Sequence, residues 1–197
     1  MHFPNKRSRW TVLFFAALVI SGLSCRTLNG LIPSGVPLAE RDLSAVVLKS
    51  SELPAGSSFT PGDTLAGPAQ FEGQIFVDYP DVHTGLVNAY YVSFHTGNWE
   101  RGYVNGIMVY DSLAQAQKAY NVVLGSATGD KVDSSQIGDE SIVMRNDSGL
   151  LSIMILWRYK EAVTYLTIFH IDNAPLPATN NVTALAQAIQ DRLVNGK

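Results

Sequence analysis

Three histidines stand in the body of the chain, His83, His95 and His170, and with Asp78 or Asp81 they supply the residue types of a metal site. Imidazole nitrogens and carboxylate oxygens bind zinc and related ions when they converge. The three are far apart in sequence, so any convergence is left to the fold. His95 and His170 each end a predicted strand, where a half-exposed imidazole needs no ligand. Asp78-Tyr79-Pro80-Asp81 offers oxygens to calcium, but a proline-set turn carrying solvated acids accounts for the same residues. No metal and no cofactor are expected on this reading.

Other chemistries need spacings that the chain lacks. Hydrolysis from a nucleophile elbow needs G-x-S-x-G, which does not occur. A phosphate cradle needs the glycines of G-x-x-x-x-G-K-[ST] or G-x-G-x-x-G, and neither is present. There is no H-E-x-x-H and no acidic ladder of the EF-hand kind. No catalytic residue is assigned. The most unusual local composition is His95-Thr96-Gly97-Asn98-Trp99-Glu100-Arg101-Gly102-Tyr103. A loop tryptophan beside amide and charged groups stacks a sugar ring or anchors a protein partner. Trp99, Glu100, Arg101 and Tyr103 are therefore the candidate partner-binding residues. The alternative folds Trp99 back over the sheet edge with solvated charge around it.

The elements that must hold these residues are legible as periodicities. Ser112 with Gln115 opens a helix that puts Leu113, Ala116, Tyr120 and Val123 on one face, with Gly125 to end it. Asn181 is a candidate cap for a second helix with Val182, Leu185, Ala186, Ile189 and Leu193 on one stripe, and Gly196 follows. A shorter amphipathic piece runs from Leu43 to Leu48. Strands are expected over Asn88–His95, Tyr103–Tyr110, Leu150–Arg158 and Ala162–Ile171, with Ser141–Arg145 a fifth. Two of them are apolar on both faces. Ile153, Ile155 and Trp157 oppose Met154 and Leu156, and Val163, Tyr165 and Phe169 oppose Leu166 and Ile168. Such a sheet needs cover on both sides. Short links, Tyr159-Lys160-Glu161 among them, make the neighbours antiparallel. The expected fold class is α+β: an antiparallel sheet of four to six strands covered by helices on both faces, a layered sandwich. The order of elements, the passage Tyr110-Asp111-Ser112-Leu113-Ala114-Gln115-Ala116 and the stretch Ile137-Gly138-Asp139-Glu140-Ser141 resemble PsbP-like domains over about residues 41–197. That resemblance implies a non-catalytic accessory, binding or assembly role.

The first residues read as an address. Lys6, Arg7 and Arg9 precede an uncharged run from Trp10 to Leu23, too short for a spanning helix and of signal-peptide length. Gly22-Leu23-Ser24-Cys25 follows, and a cysteine at that place resembles the small exported bacterial lipoproteins, in which it carries the lipid. In that pattern leucine usually stands three residues before the cysteine, where this chain has Gly22. Cleavage at the small residues without lipidation, and an uncleaved N-terminal anchor, remain open. All three place the body outside the cytoplasm, tethered through Cys25 or released. The expected organisation is residues 1–24 signal peptide, 25–40 flexible tether and 41–197 one domain.

Composition sets limits. With 46% hydrophobic residues the chain is not disordered, and one cysteine forbids an intrachain disulfide. The leader holds three of the 14 basic residues and none of the 17 acidic ones, so the remainder has 11 against 17. Such a body is no nucleic-acid binder, since phosphate contact needs clustered Lys and Arg. The leading expectation is an exported, lipid-anchored, non-enzymatic module that binds a protein or glycan partner. One alternative is a hydrolase or metal-dependent enzyme with at least two of the histidines and a carboxylate in one pocket. The other is a small-ligand sensor, which requires an apolar cavity of about 300 Å³ or more.

Overall fold

The computed structural model describes residues 35–54, 58–172 and 174–196. The leader and Cys25 lie outside that set. From Val36 the chain makes three short 3-10 turns, Leu38–Glu40, Leu43–Ala45 and Ser50–Glu52, where the periodicity of Leu43 to Leu48 suggested a longer helical piece. The segment opens with a capped turn at Asp42 and is drawn out of helix at its end by a partner on the sheet. The Asp42 carboxylate accepts the Ser44 N–H at 3.0 Å, and the buried Asn105 side chain accepts the Leu48 N–H at 2.9 Å. Leu43, Val46, Val47 and Leu48 are all buried.

Among the described residues seven strands follow: β1 (Thr60–Ala66), β2 (Leu86–His95), β3 (Arg101–Tyr110), β4 (Asp130–Val132), β5 (Glu140–Asn146), β6 (Leu151–Tyr159) and β7 (Ala162–His170). They form one sheet in the order β1-β2-β3-β7-β6-β5-β4, and every neighbouring pair is antiparallel. This corrects the expected sheet of four to six strands, while the fold remains α+β. The added strands are the two edges. β1 contains Pro61 and Gly62, slips register between Pro61 and Thr64, and buries only Leu65. β4 is three residues long. Edge strands so interrupted or so brief lack the alternation that reveals a strand, and they resist pairing with another chain.

Among the described residues three α-helices accompany the sheet: α1 (Pro68–Gln74), α2 (Leu113–Ser126) and α3 (Thr179–Asn195). The Ser112 hydroxyl caps α2 by accepting the Gln115 N–H at 3.4 Å, and the helix continues through Gly125 to Ser126. Asn181 is not the cap of α3. That helix begins two residues after Pro177 with Ala178 as N-cap, so Asn181 lies in its first turn, and Gly196 closes it in the left-handed region at φ 68°. No helix among the described residues is long and apolar enough to cross a membrane.

The sheet separates two cores. On one face Ile153, Ile155, Trp157, Leu166 and Ile168 meet Val182, Ala186, Ile189 and Leu193 of α3, together with the leading segment. On the other, Ala89, Met108, Leu156 and Val163 meet Ala116, Ala119, Tyr120 and Val123 of α2, with Phe71 and Val82. Leu113, expected on the inward face of α2, is half exposed. Each fully buried aliphatic or aromatic side chain contributes roughly 1.5–3 kcal/mol.

The Gly138-Asp139-Glu140 stretch clips the β6–β7 hairpin. Its two-residue turn puts Lys160 at φ 52°, where lysine is strained. Asp139 compensates: its carboxylate accepts the Lys160 N–H at 2.7 Å and the Arg158 guanidinium at 3.1 Å, while Arg158 also pairs with Glu140.

Candidate functional site

The residues predicted to bind a partner gather at the end of the sheet where β2 turns into β3. Trp99 sits at φ 60° and is 50% exposed, and its indole stacks on the His95 ring with centroids 3.5 Å apart and planes 14° from parallel. Glu100 gives its carbonyl to the Ile171 N–H at 2.7 Å. Arg101 donates Nε–H to Asp172 at 2.7 Å, and this partnership holds the Asp172 carboxyl below the usual carboxylate range. Tyr103 is different. It is 2% exposed and meets Phe59 edge-on at 5.1 Å, so its ring belongs to the core and not to the loop surface.

The three histidines do not converge. Side chains alternate along a strand, so His95 shares the α2 face with Tyr91, whereas His170 shares the α3 face with Ile168. His83 follows the 3-10 turn Pro80–Val82, near the opposite end of β2. Asp81 is engaged by Lys118 at 2.8 Å. Among the described residues no group of three His, Cys, Asp or Glu is placed to hold a metal ion.

The α2 face carries a feature that none of these residues signalled. α2 begins beyond the Tyr110 end of β3 and stops after Ser126, and α1 ends on the same face at Gln74. There a cleft of about 450 Å³ opens over the sheet. Its floor is Tyr165, Thr167 and Phe169 of β7, flanked by Val104, Met154 and Tyr91 from the neighbouring strands. The last turn of α2 forms one wall and the segment Gln74–Phe76 the other.

Two local devices shape it. Gly102 and Gly106 of β3 lie opposite Phe169 and Tyr165 in register. A Cβ at either glycine would collide with the facing ring, so each ring rests on bare backbone. The second device is the wall. Phe76 is held at φ 54°, an uncommon conformation for a bulky residue and one that costs roughly 1–2 kcal/mol. Its carbonyl accepts the Tyr79 N–H at 2.8 Å and lies 3.2 Å from His83 Nε2, which must carry the proton to bond it. Its ring meets Tyr165 edge-on at 5.7 Å.

Among the described residues, no acidic, basic or histidine side chain lines the cleft. Tyr91 and Tyr165 are kept neutral: burial raises both phenols, and their mutual proximity raises Tyr165 further. What remains for a ligand is aromatic and aliphatic surface with neutral hydroxyls and amides. The sequence signal for this site was the glycine pair at i and i+4 in an otherwise strong strand, the mark of close approach by another group.

Burial likewise raises Tyr110, and pushes Tyr120 up to about 12. These groups bind protons more tightly folded than unfolded, so their contribution is complete below pH 10 and is lost as pH climbs from about 10 towards 12. Stability measured in urea is expected to be flat from pH 7 to 9 and to fall above pH 10, with tyrosinate absorbance growing in step with unfolding. A tyrosine titration complete near pH 10 in the folded protein would contradict this.

Compared with known proteins, the chain matches no family and no curated protein. The PsbP-like resemblance thus receives no support there, and a likeness in fold comes from elsewhere. The structure is similar to the extracellular domain of PknH from Mycobacterium tuberculosis, with 16% sequence identity and a TM-score of 0.53 over 78% of this chain and 95% of that one, which establishes a shared fold and nothing finer.

Proposed function

We propose that this chain is an exported, membrane-tethered binding module without a catalytic role, and that the cleft on the α2 face takes a small uncharged ligand. The observation that carries the reading is the lining: about 450 Å³ of aromatic and aliphatic surface with neutral polar groups and no charge. That volume lies within the usual range for ligand sites, roughly 300–1,000 Å³. It also exceeds what the small-ligand alternative required of the sequence. The leader and Cys25 support export, and the fold is one that an extracellular bacterial domain also adopts. The reading without catalysis is supported by His95 and His170 lying on opposite faces of the sheet.

The test is titration of the full chain with Nile red, a neutral probe whose emission rises in apolar surroundings. A saturable one-to-one signal is expected. Thr167→Glu, which puts a charge at the centre of the floor, is expected to weaken it at least tenfold while leaving the melting temperature within a few degrees. A signal that never saturates, or that Thr167→Glu leaves unchanged, would remove the cleft as the site.

A further inference from the structure

The lining is more specific than apolarity alone. An acyl chain is best held in a closed apolar tube, whereas this cleft is open and mixes rings with hydrogen-bonding groups. Tyr165 and Phe169 lie four residues apart on one face of β7, about 13 Å at strand spacing. Both are laid on the glycines of β3 and both line the cleft. Around them stand Gln74, Tyr91, Ser126, Thr128, Ser152 and Thr167, all neutral and all able to donate and accept.

Resting on the cleft reading, we propose that the ligand is a neutral oligosaccharide of two or three residues. The apolar C–H face of one sugar ring would pack on Phe169, which is partly exposed, while Tyr165, buried beneath Phe76, shapes the inner floor, and the sugar hydroxyls would bond the surrounding amide and hydroxyl groups. Charge decides against acidic glycans. A carboxylate or sulfate brought into this cleft meets no cation among the lining residues and loses water without compensation. Length follows from the floor of the cleft, which runs from Phe169 past Thr167 towards Tyr165, more than one sugar covers. Phe169 sets specificity: it is partly exposed, so it presents ring surface without being a pillar of either core.

The experiment is displacement of Nile red from the full chain, with direct calorimetry alongside. Neutral gluco-, manno- and galacto-oligosaccharides of two to six residues are compared with oligouronates of the same length and with decanol. One or more neutral oligosaccharides are expected to displace the probe, and oligouronates at least ten times less well. Phe169→Leu keeps apolar bulk but removes the flat ring. It is expected to weaken the saccharide at least tenfold and the probe less than twofold, and Phe169→Tyr to restore the saccharide. Displacement by decanol and by no saccharide would overturn the ligand class and leave the cleft reading standing. Saccharide affinity indifferent to Phe169→Leu would place the sugar elsewhere and overturn the proposal. Failure of Nile red to bind at all would end both readings.

Discussion

Trp157→Ala is expected to remove roughly 3–5 kcal/mol of stability, the range for truncating a buried aromatic side chain. For a body of this size that is a fall of about 6–20 °C in melting temperature. The indole is fully buried on the α3 face, among Ile155, Leu166 and the inward stripe of α3. It also holds a partner. Its N–H donates to Gln190 Oε1 at 2.9 Å, and Gln190 is itself buried. Alanine therefore leaves a cavity and an unsatisfied amide together, and the stranded amide accounts for about 1–3 kcal/mol of that total. Trp157→Phe separates the two effects, because it keeps most of the volume and loses only the hydrogen bond. Denaturant midpoints for the two variants should differ by at least the cavity contribution. A loss of less than about 1 kcal/mol in Trp157→Ala would mean that this face is not packed as described.

Arg192→Met is expected to cost about 3 kcal/mol and to loosen one part of the molecule before the rest. Arg192, in the last turn of α3, donates to the carbonyls of Val46 and Val47 at 2.8 and 3.0 Å and grips both carboxylate oxygens of Glu52 at 2.6 and 3.1 Å. A forked pair of this kind is stronger than a point contact, and both side chains are largely shielded from water. Removing the fork strands an acid and two carbonyls at once. Hydrogen exchange at Val46, Val47 and Leu48 should accelerate well ahead of amides in β6 and β7. Arg192→Lys should recover only part, since an ammonium lacks the planar fork. Exchange in the leading segment equal to that of the unaltered chain would show that Arg192 does not fasten it.

What the sequence disclosed follows the physics of each element. β6 and β7 carry dense alternation of Ile, Leu, Val and Phe, so their extents, pairing and two-sidedness were all readable. The α3 stripe was readable too, because Val182, Ala186, Ile189 and Leu193 keep helical spacing. β1 was not, since a strand with Pro61 and Gly62 that buries one leucine has the texture of a loop. The start of α3 was misjudged because Asn181 is a good cap in isolation, while Pro177 fixes an earlier entry. Trp99 marked the exposed loop between β2 and β3, yet Tyr103 is buried, because it shares the α3 face with Ile107 and is covered by Phe59, a long-range contact. The cleft escaped notice for a different reason. Its lining is assembled from several separate elements, and residues such as Thr167 and Ser152 are common in any strand. Only the coincidence of two glycines with two rings, a long-range fact, makes it a place.

The margins of the sheet have a bearing on life at high density. If the chain is tethered as proposed, copies side by side on a surface would meet at effective concentrations far above those in free solution. A long, regular border would then template its neighbour and zip copies into fibrils. Here one border is broken by Pro61 and a slipped register, and the other offers three residues. Crowded copies would therefore find little continuous edge on which to pair.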